Sequence, residues 1–159
     1  MTNSEVEAVL KFYKWIDIDI KVMNEWLKQY EAGYNPLGAV KYDGMPHGSK
    51  QGDSTAVIAM KLAGEDTKEN IEILKMRIKE LKELRTQIFK EISSLMAIHK
   101  VIIYNLYLRG QKWNLVAKRI GYSVRQAKNI RYKALNILGE KLEENKYLSQ
   151  SEIIKEILK

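Results

Sequence analysis

Residues 113–135 read WNLVAKRIGYSVRQAKNIRYKAL, and this stretch decides how the rest of the chain is understood. Leu115, Val116, Ala117 and Ile120 form the packing side of a short helix. Gly121 stops it, because a left-handed residue costs glycine no steric strain. Ser123 supplies an acceptor for the free N–H groups of a following helix. Along that second helix Ala127, Ile130, Ala134, Leu135 and Leu138 recur at helical spacing and predict a buried stripe. The opposite side carries Arg125, Gln126, Lys128, Asn129, Arg131 and Lys133.

Charge is sorted along the chain in the same place. From Lys100 to Leu138 there are nine Lys or Arg and no Asp or Glu, whereas the whole protein is only +7, so everything else sums to −2. Cations gathered on one element displace the counterions condensed on nucleic acid. Two helices meeting at a Gly-containing turn, with long polar side chains near the start of the second, are the elements of a helix-turn-helix. Arg125, Gln126 and Asn129 are expected to read bases, since Arg pairs with guanine and Asn or Gln with adenine. Lys112, Arg119, Ser123, Lys128, Arg131 and Lys133 are expected on phosphates. An ordinary charged face on a helical bundle is the competing reading.

Upstream, Ser4 and Glu7 have capping-box spacing. Val6, Val9, Tyr13, Ile16, Ile20, Met23, Leu27 and Tyr30 then alternate by three and four, the seam of a helix packed lengthwise on another. Phe12, Trp15, Val22 and Trp26 widen that seam, and core packing is the expected role of Tyr13, Trp15 and Trp26. Both prolines and five of nine glycines fall in 33–52, which reads as a linker loop. Asp53 or Ser54 opens a short helix ending near Gly64. Asp66 and Glu69 start a long one whose seam runs Ile71, Leu74, Ile78, Leu81, Ile88, Ile92, Leu95 and Ile102. Ser149 and Glu152 open a short terminal helix that must dock to persist.

The expected fold is therefore all-α, a long coiled-coil-like helical hairpin followed by a helix-turn-helix. The divisions are 1–32, an amphipathic helix; 33–52, a loop; 53–99, a short helix and a long one; 100–140, the DNA-binding domain; and 141–159, a short helix. No cysteine is present, which removes disulfides and thiolate chemistry and suits a reducing cytoplasm. His47 and His99 have no second ligand at metal spacing, Asp17 and Asp19 lie on different helix faces, and no Gly-rich loop is followed by Lys-Ser/Thr. Neither a metal, a cofactor nor an enzymatic activity is expected. No apolar run suits a membrane span.

The run IIYNLYLRGQKWNLVAKRIGYSVRQAKNIRYKALNIL (102–138) resembles the fourth region of bacterial sigma factors, which reads the −35 promoter element. Leu106-Tyr107-Leu108, Leu115-Val116-Ala117, Ile120-Gly121, Ser123 and Lys133-Ala134-Leu135 carry the likeness. MPHGSKQGDSTAVIAMKL (45–62) resembles phage regulators of the ArpU and RinA type, as does Lys112-Trp113. The resemblance implies a phage or prophage late-gene activator acting on double-stranded DNA in the bacterial cytoplasm, at the nucleoid. RNA polymerase is a candidate partner, and a homodimer is open. By position it carries base reading to Arg125, Gln126 and Asn129. Sigma factors commonly have Arg-Glu after the cap, whereas this chain has Val124-Arg125, so the −35 consensus is not the expected site. The alternatives are a small-terminase-like packaging subunit and a polymerase-binding adaptor.

Overall fold

The computed structural model describes the backbone of residues 1–33 and 54–158, with side chains for 1–33 and 67–158. The linker reading of 33–52 lies almost wholly outside the described residues, as do any roles for His47 and Asp53. Every regular element described is helical, and no strand occurs among these residues. In chain order they are α1 (Asn3–Gly33), α2 (Ser54–Ser93), α3 (Ala97–Ile103), a π-helical turn (Tyr104–Leu108), α4 (Trp113–Ile120), α5 (Val124–Glu144), α6 (Lys146–Gln150) and α7 (Glu152–Ile157). The chain divides into two compact units, Met1–Asp19 with Leu81–Lys159, and Ile20–Glu80.

The first unit holds most of the core. α3, α4 and α6 each pack on α5, and α6 also packs on α7. Ala127, Ala134, Leu135 and Leu138 are fully buried, as the stripe predicts, while Ile130 is only partly covered. Val6, Val9, Leu10 and Ile16 are buried on α1, and Leu84 and Ile88 on α2. Gly139 lies close against the start of the chain. A Cβ there would lie 3.0 Å from the Met1 carbonyl oxygen and 3.1 Å from the Val6 side chain, so a larger residue would need those neighbours to give by a few tenths of an ångström. In the second unit Ile71 and Ile78 are buried, and Lys75 pairs with Glu31 at 2.8 Å.

Several boundaries differ from the sequence expectation. The N-terminal capping box is Thr2–Glu5, not Ser4–Glu7: Thr2 N–H donates to Glu5 at 2.6 Å and Glu5 N–H to the Thr2 hydroxyl at 3.3 Å. Glu7 is thereby left for a tertiary contact. The short helix after Ser54 and the long helix after Asp66 are one helix of 40 residues, because Gly64 in a helix interior weakens it without breaking it. That helix does not carry the seam to Ile102. It stops at Ser93, where the Ser94 hydroxyl bonds the Glu91 carbonyl and the Lys100 ammonium bonds the Ser93 carbonyl at 2.8 Å, a cation on a helix C-terminus.

α5 continues to Glu144, past the expected boundary at 140. The terminal segment is two helices, capped by Asn145 and Ser151 instead of Ser149. Asn145 also donates to Glu91 at 2.7 Å and Gln87 at 3.1 Å, tying the start of α6 to α2. Leu148, Ile153 and Ile154 are buried, so the terminal helices dock, as short helices must.

The α4–α5 turn matches its sequence signals. Gly121 sits at φ +73°, and Ser123 closes a reciprocal capping box with Gln126. Ser123→Ala is expected to cost about 1 kcal/mol of unfolding free energy through loss of that cap. Chemical denaturation followed by circular dichroism measures it.

Candidate nucleic-acid interface

The candidate surface begins with how α5 is rotated. Its buried stripe turns Arg125, Lys128, Asn129, Tyr132, Lys133 and Asn136 outward, and all six are exposed. Arg125, Asn129, Tyr132 and Asn136, spaced four, three and four, share one face of the helix. Tyr132 is 57% exposed. The sequence reading missed Tyr132 and Asn136 because it weighted the first turns of the helix. Extending the spacing from Arg125 would have found both.

Several sequence-assigned residues are engaged elsewhere. Gln126 accepts from the Ser123 N–H at 3.0 Å and hydroxyl at 2.9 Å, so its carbonyl oxygen serves the helix cap and not a base. Arg131 corrects the phosphate assignment more fully. Its guanidinium forms an ion pair with Glu7, and its Nε donates to the Tyr107 hydroxyl at 2.8 Å. Tyr107 in turn donates to Glu7 at 2.9 Å. These three side chains close a partly buried cluster joining α1, the π-helical turn and α5. Arg131 is held in this cluster, and Glu7, the acid it pairs with, lies far away in sequence.

Arg119 is divided between two environments. One amine donates to Asn105 at 2.5 Å, while the residue as a whole is exposed. Asn105 is buried. Its amide donates to the Val101 carbonyl at 2.7 Å and its backbone carbonyl accepts from Gln111 at 2.8 Å. The π-helical turn, closed by Arg109 N–H on the Tyr104 carbonyl, points Asn105 inward and is followed by Gly110 with φ +64°. That local geometry holds the α4 entry and one end of Arg119. Lys112 is exposed at the N-cap of α4, and the Lys128 ammonium lies 5.8 Å from the Trp113 ring centre.

Of the nine cations between Lys100 and Leu138, three thus have internal polar partners: Lys100, Arg119 and Arg131. Arg109, Lys112, Lys118, Arg125, Lys128 and Lys133 are exposed without an acidic partner among the described residues. Leu115, expected to pack, is instead 59% exposed beside them. His99 is buried on α3, and no group of three or more His, Cys, Asp or Glu fit to hold a metal occurs among the described residues. No described helix is long and apolar enough to cross a membrane.

Burial pushes the Tyr107 phenol up to about 12. A free tyrosine titrates near 10. Because the folded value is the higher one, the contribution of Tyr107 to stability is complete below about pH 10 and is lost as pH rises toward 12. In a tyrosinate absorbance titration, one phenol should ionise well after the bulk, and Tyr107→Phe should remove that late step. Compared with known proteins, the chain matches no family model, no characterised protein and no solved structure.

Proposed function

We propose that the chain is a sequence-specific double-stranded DNA-binding transcriptional regulator, with α4 and α5, which follow a coiled-coil-like hairpin in sequence, acting as a helix-turn-helix. The observation that carries this reading is the exposed, acid-free cationic surface of α4, its turn and the first half of α5. Six cations between Arg109 and Lys133 lack acidic partners among the described residues, while Ala127, Ala134, Leu135 and Leu138 on the other side of α5 are buried. A solvated bundle face gains nothing from leaving like charges side by side, whereas a polyanion compensates them.

In this reading α5 enters the major groove with Arg125 and Asn129 on base edges. Lys112, Lys128, Lys133 and the free side of Arg119 lie along phosphates. Tyr132 extends the reading face roughly 10 Å farther along the helix, seven residues beyond Arg125. Gln126 contributes through the cap, and Arg131 holds α5 against α1. The phage late-gene setting and a contact with RNA polymerase rest on the sequence resemblance alone.

Selection of bound genomic fragments tests DNA binding and names the site together. Arg125→Ala is expected to cost about 1–3 kcal/mol and relax preference at one base position. Lys128→Ala should weaken all sequences alike and reduce the salt slope by about one. Arg131→Ala should lower the unfolding midpoint and leave the selected sequence unchanged. If Arg125→Ala alters neither affinity nor the selected site, α5 is not the reading helix.

A further inference from the structure

α1 has two apolar sides. One faces the interior through Val6, Val9, Leu10 and Ile16. The other carries Trp15, Ile18, Val22 and Trp26, spaced three, four and four, and is exposed at 53, 50, 37 and 51% respectively. Large apolar side chains grouped on one face mark an association surface, and tryptophan is enriched at the centres of such surfaces. Intramolecular packing has already used the opposite side of the helix, so this stripe has no role in the described core.

The charges along the stripe select the occupant. Residues 11, 15, 18, 22, 25 and 29 share a heptad seam, which therefore includes Lys11 and Glu25. A parallel, in-register copy would set Glu25 against Glu25 and Lys11 against Lys11. Reversing the second copy about residue 20 removes both conflicts. Ile18 then meets Val22, Trp15 meets the level of Glu25, and Lys11 meets Gln29. Lys14, whose ammonium already lies 5.4 Å from the Trp15 ring centre, falls within one residue of Glu25 on the second copy, about 1.5 Å along the axis. Neither Lys11 nor Glu25 has another partner among the described residues. The sequence of α1 is complementary to itself only when reversed.

We infer that α1 forms the interface of an antiparallel homodimer, with the Trp15–Ile18–Val22–Trp26 stripes of two copies packed on each other and Lys14–Glu25 pairs at both ends. The inference is independent of the DNA reading. A two-fold dimer would also present two α5 helices, as DNA half-sites of inverted sequence require.

Sedimentation equilibrium of the full chain without DNA is the test, so its outcome is separate from that of DNA binding. The wild-type chain should have twice its 18.5 kDa mass across the micromolar range, and Val22→Glu should have the single mass. Lys14→Glu and Glu25→Lys should each raise the dissociation constant at least about tenfold, and the double variant should recover wild-type association. Both charge variants alter exposed residues, so they remain informative if Val22→Glu fails to fold. A wild-type monomer, an assembly larger than two, or a folded Val22→Glu dimer overturns the interface. Failure of the double variant to recover overturns the antiparallel arrangement.

Discussion

Burial of Ala127, Ala134, Leu135 and Leu138 is the constraint on which the rest of the first unit depends. Helical geometry leaves α5 one free variable, its rotation about its own axis, and four fully buried side chains on one stripe remove it. Small residues at 127 and 134 let neighbouring helices approach, and Gly139 extends the same economy of space to the contact with Met1 and Val6. Once α5 is held in this way, Arg125, Lys128 and Lys133 point outward. The cationic surface is thus a consequence of the core, not a separate feature.

Long-range polar contacts then determine which cations remain available. The Glu7–Tyr107–Arg131 cluster and the Asn105–Arg119 bond each use a guanidinium to satisfy a partly or wholly buried group. A hydrogen bond to a charged group contributes more than a neutral one, and removing one member leaves the others unpaired inside the protein. Arg131 therefore belongs to the architecture despite lying one turn beyond Ala127 on a helix rich in cations. The π-helical turn contributes in the same manner, since its extra residue directs Asn105 inward to meet Arg119.

Local signals were legible where chemistry acts over a few residues. Gly121 and Ser123 announce the α4–α5 turn, and the turn forms with the expected left-handed glycine and serine cap. The α5 stripe was legible because hydrophobic periodicity is a property of one helix. Capping patterns were less dependable: Ser4–Glu7, Asp66–Glu69 and Ser149–Glu152 all have the right spacing. Thr2–Glu5 prevails at the first position, helix continuation at the second, and Ser151 at the third. Spacing identifies residues able to cap, whereas the surrounding backbone decides whether a helix starts there. The aromatic stripe was misread for a related reason. A broad apolar face indicates burial against something, and Trp15 and Trp26 are exposed among the described residues.

Composition and pattern by themselves determined an all-helical chain, an acid-free basic region and a glycine-centred turn between two of its helices. Each follows from interactions between residues a few positions apart, or from simple counting. Only the tertiary structure decided that Arg131 is neutralised by Glu7, that Arg119 bonds the buried Asn105, and that one side of α1 is left exposed among the described residues. Those outcomes depend on which surfaces meet, and pairing between residues more than a hundred positions apart leaves no periodic trace in the sequence.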